Sequence, residues 1–165
     1  TGETEEYLSP NYPWNDSIWM SQWEFVSQRQ EGGTQSLGFS ILNEDGDDYT
    51  HLLFETEKLF VFVAPYLNEL TEYDFAECQR ICDFANEIGF SYLWITSVNP
   101  EYVYELQDKY NMFDEVYFGD ELELKSMVRS NPGLILMDNG IILDKWSKID
   151  FPCEKDFLES ENLRI

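Results

Sequence analysis

Residues 129–146 read RSNPGLILMDNGIILDKW, and they are the most informative stretch of the sequence for the fold. Two short apolar runs, 134–137 and 141–143, lie on either side of the dipeptide Asn139-Gly140. Asn-Gly between such runs is a strong signal for a tight β-hairpin, because these residues accept the positive φ that the turn requires. The stretch therefore predicts two antiparallel strands, and Pro132 lies just before the first of them.

Upstream of this hairpin, strands and helices alternate. The run Leu59–Ala64 is apolar without interruption, as is typical of a central strand buried on both faces. Residues 74–88 carry apolar side chains three and four positions apart, which predicts an amphipathic helix. The order β-α-β-α-β-α-β-β indicates an α/β fold in which helices flank a central mixed sheet. The remaining elements of that order are predicted as strands at 92–97 and Val116–Phe118 and helices at 100–110 and 121–129.

The N-terminal part differs from the core. Residues 37–42 and 49–54 are short apolar runs on either side of Asp45-Gly46, which predicts an N-terminal β-hairpin. The acidic loop between them lacks the ligand spacing of a calcium-binding loop, so we expect a solvated turn and no metal site. Residues 1–36 are polar but rich in aromatic residues. We expect them to form an extension that packs on the core domain, residues 37–165.

Composition limits the partners. The chain has 165 residues and 43% hydrophobic residues, which suits a soluble domain with a sizeable core. Its net charge of −23 repels phosphate backbones and anionic lipid headgroups. We therefore expect neither nucleic-acid binding nor direct lipid binding by this domain. Its longest apolar run, residues 59–65, is far shorter than the roughly 20 residues that span a bilayer.

The proline, strand, Asn-Gly turn, strand and Trp146 of residues 129–146 resemble the corresponding segment of the thioredoxin family. In that family the proline is cis and lies beside the active site. The resemblance thus implies a thioredoxin-like fold with a cis Asn131-Pro132 bond. The N-terminal run Phe39-Ser40-Ile41-Leu42 with its Asp-Gly turn resembles the addition found in the TlpA/ResA-type branch.

A closer likeness covers nearly the whole chain. The motif YPWNDS at 12–17, the run LKSMVRSNPGL at 124–134 and Lys145-Trp146 are similar to the soluble C-terminal region of Bacteroidetes DoxX-family membrane proteins. This resemblance implies that transmembrane helices precede Thr1 in the native protein. It also implies that the domain lies on the periplasmic (extracytoplasmic) side of the inner membrane.

The thioredoxin active site is missing. Members of that family carry Cys-x-x-Cys where the first core strand meets a helix N-terminus, whose dipole lowers the pKa of the first thiol. At this point the chain reads Ala64-Pro65-Tyr66-Leu67-Asn68, without a cysteine. A thioredoxin-like scaffold that lacks the nucleophilic cysteine implies a non-catalytic binding module. The binding groove implied by the fold consists of Pro65, Tyr66, Asn131 and Pro132.

The three cysteines, Cys78, Cys82 and Cys153, leave an alternative open. The chain would then be a thiol-disulfide oxidoreductase or redox sensor that uses cysteines outside the motif. Cys78 and Cys82 lie on the apolar stripe of the predicted helix, where cysteine acts as a small hydrophobic residue. Cys153 follows Phe151-Pro152 and is predicted to be exposed. Core packing is the favoured interpretation, and enzyme activity is the less favoured one.

No other chemistry stands out. His51 is the only histidine, so a histidine-based metal cluster is excluded, and the sequence has no GxGxxG, Walker or HExxH motif. We therefore expect no cofactor and no catalytic residues. The expected partner is another protein or the membrane part of the full-length chain. A third hypothesis makes the domain an assembly element whose N-terminal aromatic arm packs on a neighbour.

Overall fold

The computed structural model describes residues 39–155 together with Phe157 and Leu158, so the predicted extension at 1–36 lies outside the described residues. Glu154, Lys155, Phe157 and Leu158 are helical. None of the described helices is long and apolar enough to cross a membrane. The main elements are α1 (Leu52–Glu55), β1 (Leu59–Ala64), α2 (Glu72–Ile88), β2 (Ser91–Thr96), α3 (Pro100–Lys109), β3 (Val116–Phe118), α4 (Glu121–Met127), β4 (Gly133–Asp138) and β5 (Ile141–Ser147).

The five strands form one mixed sheet in the order β3-β2-β1-β4-β5. Strands β1, β2 and β3 are parallel, whereas β4 runs antiparallel to β1 and β5 antiparallel to β4. All six residues of the central strand β1 are buried, which explains its unbroken apolar sequence. Asn139 and Gly140 have φ of 47° and 83°, so the predicted turn between β4 and β5 is confirmed.

Helices cover both faces of the sheet, as predicted. Alternate residues of each strand point to opposite faces, so Phe60 and Phe62 pack beneath α2 and α3 while Leu59 and Val61 pack on the other side. Phe62 stacks on Trp94 with ring centroids 4.5 Å apart. The second face is closed by buried side chains from outside the sheet: Ile41, Leu53 of α1 and Leu124 of α4.

Helix α2 begins and ends at residues suited to those positions. Thr71 is its N-cap and Asp74 its third residue, and the two side chains each accept a hydrogen bond from the other's backbone N–H. Such a capping box satisfies donors that would otherwise lack partners at the start of a helix. Gly89 follows the last turn with φ of 79°, the left-handed conformation common after a helix.

The predicted N-terminal hairpin is wrong in its second arm. The turn exists, with Gly46 at φ of 87°, but the pairing is reduced to a single bridge between Leu42 and Asp48. The chain then enters the short helix α1 instead of a strand. Residues 52–54 are apolar in succession and do not alternate, and a helical turn lets Leu53 reach the buried face of the sheet.

Candidate functional site

The register of the sheet brings the two halves of the predicted groove together. Strands β1 and β4 pair so that Val63 lies opposite Gly133. Because the strands are antiparallel, the residues that follow Val63 lie beside the residues that precede Gly133. Pro65 and Tyr66 are thereby placed next to the Asn131-Pro132 bond, and that bond is cis, as the resemblance implied.

The side chain of Asn131 binds the backbone of Tyr66 in both directions. Its amide nitrogen Nδ2 donates to the Tyr66 C=O at 2.8 Å, and its Oδ1 accepts the Tyr66 N–H at 3.3 Å. One side chain thus replaces the paired hydrogen bonds of a sheet where β1 has ended. The junction is held against the cis-proline loop by this amide.

The ring of Tyr66 is engaged by two residues of α4. Its phenol donates a hydrogen bond to Glu121, and the Nζ of Lys125 lies 4.8 Å from the ring centroid. Lys125 also contacts Glu121, with 2.7 Å between Nζ and Oε1. The hydrogen bond from Lys125, followed by that from Tyr66, lowers the pKa of Glu121, and the same carboxylate raises the pKa of Lys125. The ring is therefore held between a cation and an anion.

Backbone carbonyls around the junction already have donors. The hydroxyl of Ser97 donates to the C=O of Pro65, and that of Ser130 donates to the C=O of Pro132, both at 2.6 Å. Both prolines are buried. The groups open to contact by a partner are the half-buried Tyr66 ring and the exposed side chains of Asn68 and Glu69.

The N-terminus of α2 holds a carboxylate. Asp74 lies in the first turn, is 7% exposed and accepts hydrogen bonds from the N–H and Oγ1 of Thr71, both at 2.9 Å. Lys148 adds an ion pair at 3.3 Å. Burial opposes ionisation of Asp74, but the hydrogen bonds from Thr71 and then Lys148 outweigh it, and its pKa is lowered. The start of the helix thus stabilises the negative charge of Asp74.

None of the three cysteines lies in the segment between β1 and α2. Cys78 and Cys82 are fully buried on the inner face of α2, as the sequence predicted, and Cys153 is exposed. Burial raises the pKa of both helix thiols, and proximity to Cys82 raises that of Cys78 further. A buried thiol with a raised pKa is a poor nucleophile, because the thiolate is the reactive form.

Two cavities of the described part lie away from this junction. Each has a volume of about 450 Å³, one lined by the outer side of β3 and the start of α3, the other by the start of β2. Neither is lined by Tyr66 or Pro132. The described residues contain no cluster of three or more histidine, cysteine or acidic side chains suited to a metal ion. These two cavities are therefore separate from the junction.

Solved structures resemble this arrangement. The chain is similar to the exposed lipoprotein thioredoxin from Streptococcus pneumoniae strain TIGR4, with a TM-score of 0.53 and 14% identity over 75% of this chain and 97% of that one. The fold is thioredoxin-like. A thiol peroxidase from Chromobacterium violaceum is also similar, with a TM-score of 0.51 and 10% identity over 76% of this chain and 81% of that one. No protein-family model matches, and neither does any curated protein.

The thioredoxin-like fold brings together the four residues predicted to form the groove, although Pro65 and Pro132 are themselves buried. Sequence reasoning missed the residues of α4 that hold the Tyr66 ring. The sequence does indicate that Glu121 and Lys125 pair with each other, because they are oppositely charged and four residues apart on a helix. Nothing in the sequence linked that pair to Tyr66.

Proposed function

We propose that this thioredoxin-like chain is a non-catalytic binding module and the extramembrane appendage of a membrane protein. The proposal rests on which residues occupy the strand–helix junction between β1 and α2. The ring of Tyr66 is fixed there by Glu121 and Lys125, and no sulfur lies in the segment between β1 and α2. Without a nucleophile at this point, a scaffold of this kind retains only its ability to hold a partner.

The shape of the junction favours a protein as the partner. A small molecule needs a concave site that buries most of its surface, whereas this surface is built on a half-buried ring and exposed polar side chains. Tyrosine is enriched where proteins bind each other, because its ring contributes apolar area and its hydroxyl a hydrogen bond. The partner is another protein or the membrane part of the full-length chain.

The catalytic half of the proposal is tested by reduction of insulin disulfides with dithiothreitol as the reductant. The native chain is compared with Cys153→Ser and with a variant in which all three cysteines are replaced. We expect the same rate for all three proteins, equal to that of dithiothreitol alone. A rate for the native chain above that of the cysteine-free variant would refute a non-catalytic role.

The binding half is tested by a photo-crosslinking amino acid at position 68 of the full-length protein in its native membrane. Asn68 is exposed beside Tyr66, and Asp83, exposed far along α2, is the control position. We expect an adduct from position 68 with the membrane part of the chain or with one defined partner, and none from position 83. Equal adducts from both positions would contradict a specific surface.

The exposed thiol of Cys153 favours a second function, that of a redox sensor. Its thiolate would attack the disulfide of oxidised glutathione, form a mixed disulfide and release one glutathione thiolate. The sensor hypothesis requires that this adduct change a property of the domain. We expect the adduct to leave the urea midpoint and the crosslinking at position 68 unchanged, and a change in either would favour the sensor.

The proposed membrane linkage rests on the likeness to Bacteroidetes DoxX-family proteins. The gene sequence upstream of Thr1 tests it. We expect apolar segments of roughly 20 residues in that region, with their charge bias placing this domain on the periplasmic side. An upstream region without such segments would contradict the linkage.

A further inference from the structure

Strand β3 forms one edge of the sheet, and the direction of its backbone groups follows from its pairing with β2. The C=O of Glu115 accepts the Trp94 N–H at 2.8 Å, and the N–H of Gly119 donates to the Thr96 C=O at 3.0 Å. Successive residues of a strand direct these groups to opposite sides. The N–H and C=O of Val116 and of Phe118 therefore point outward, away from β2.

Only one of these outward pairs is covered within residues 39–155. Leu42 and Phe118 exchange two backbone hydrogen bonds, of 2.9 and 2.8 Å, in an antiparallel bridge. The chain then leaves the edge, because Asn43 starts a turn closed by the Gly46 N–H at 3.1 Å. The described residues show no hydrogen bond to the outward groups of Val116. An antiparallel strand that continued the line of Leu42 would meet them.

The space beside Val116 is the cavity of about 450 Å³ that lies between β3, α3 and the turn after Leu42. Its lining includes no lysine or arginine. It includes four carboxylates, those of Glu44, Asp45, Asp114 and Glu115. The groove thus lies beside the outward backbone groups of Val116 and is lined by negatively charged side chains.

Two of these carboxylates are oriented by phenols. The hydroxyl of Tyr104 donates to Glu44, and that of Tyr117 donates to Glu115 at 2.6 Å. Each phenol holds its carboxylate in place by a hydrogen bond and brings no positive charge into the groove. A cation that enters the groove would meet oriented acceptors and not freely rotating side chains.

We propose that this groove receives an extended, lysine- or arginine-rich segment of a partner protein, which adds to the outer edge of β3 as an antiparallel strand at Val116. Main-chain hydrogen bonds to Val116 would supply affinity, and the four carboxylates would select basic side chains. This docking edge is distinct from the surface at Tyr66, and neither depends on the other.

The test uses Ac-Lys-Val-Lys-Val-Lys-amide as the probe, with calorimetry for affinity and amide hydrogen exchange for location. We expect binding that protects the Val116 amide and leaves exchange at Tyr66 unchanged. The double variant Asp45→Asn/Asp114→Asn should weaken binding about fivefold, because exposed charges contribute modestly. The control Asp83→Asn/Asp108→Asn makes the same charge change outside the groove and should bind like the native chain. Equal weakening in both variants would overturn the proposal.

Three altered peptides test the strand geometry without altering the protein. Replacing lysine by glutamate should abolish binding. In an extended peptide, the N–H groups of the valines point to one edge of the strand and those of the lysines to the other. N-methylation of the valines and N-methylation of the lysines therefore each remove the hydrogen-bond donors of one edge only. We expect one N-methylated peptide to lose binding and the other to retain it. Retention by both, or protection at Tyr66 instead of Val116, would contradict strand addition.

Discussion

The junction after β1 and the inner face of α2 differ in what each offers to thiol chemistry. At the junction, the Tyr66 ring is half-buried, Asn68 is exposed, and the N-terminus of a long helix follows. On α2, Cys78 and Cys82 supply sulfur but are completely buried in the core. A catalytic thiol needs access and a stabilised thiolate in the same place. Of these two regions, the junction has access without sulfur and α2 has sulfur without access.

The same comparison shows how the scaffold is used. At the junction, hydrogen bonds from Asn131 and the charges of α4 fix a surface. On α2, the cysteines fill space beneath the helix as small apolar side chains. The fold thus keeps a fixed junction beside the cis-proline loop, and the two thiols of α2 contribute to packing.

The largest effect is expected where the cis-proline loop packs most tightly. A Cβ added at Gly133 would lie 2.4 Å from Cγ1 and 2.5 Å from Cβ of Val128, much closer than van der Waals contact. Gly133→Ala should therefore lower the free energy of unfolding by about 3 kcal/mol, measured by urea denaturation. Adding Val128→Ala should recover part of the loss. Simple additivity of the two changes would contradict this packing.

A somewhat smaller effect tests whether the helix thiols belong to the core. Cys78→Ser should lower the free energy of unfolding by about 2 kcal/mol, because it buries a hydroxyl without an assured partner. Cys78→Ala should cost less. Cys153→Ser, at an exposed position, should change stability by less than about 0.5 kcal/mol. If serine were tolerated equally at both positions, Cys78 would not be a core residue.

The corresponding test at the junction is Asn131→Ala. It removes both hydrogen bonds to the Tyr66 backbone and should cost about 1–2 kcal/mol, since water can partly replace them at a half-buried residue. Asn68→Ala is the matched control at an exposed position and should stay within about 0.5 kcal/mol of the native chain. Equal stabilities for the two variants would show that Asn131 does not hold the junction.

The smallest effect is a pH dependence at the start of α2. The pKa of Asp74 is lower in the folded chain than in the unfolded chain. Its contribution to the free energy of unfolding is therefore fully present above the unfolded pKa of about 3.9 and is lost as pH falls through the folded pKa. The stability difference between the native chain and Asp74→Asn should therefore shrink from pH 5 downward. A difference independent of pH would contradict the role assigned to Asp74.

The regular elements of the fold were predictable because each leaves a local pattern. Buried strands such as β1 are continuous apolar runs, and α2 shows helical spacing between Thr71 and Gly89. The second arm of the N-terminal hairpin was wrong, because residues 52–54 form an apolar run too short to distinguish a strand from a helical turn. Tertiary packing of Leu53 decided the outcome.

The candidate site was predictable only in part. The resemblance to thioredoxins placed Tyr66 beside the cis-proline loop, and the structure agrees. The contact between Tyr66 and Glu121 joins residues 55 positions apart. Neither periodicity nor composition reports such a pairing, because it depends on how α4 packs against the end of β1. The same holds for the amide of Asn131, 65 positions from Tyr66.

The measurement that tests the central claim most directly is thiol labelling of the native chain with a chromogenic disulfide, with the labelled positions read by mass spectrometry. We predict that Cys153 reacts rapidly, while Cys78 and Cys82 react at least about a thousandfold more slowly until denaturant is added. Labelling of either helix thiol in the native state at the rate of Cys153 would contradict the account.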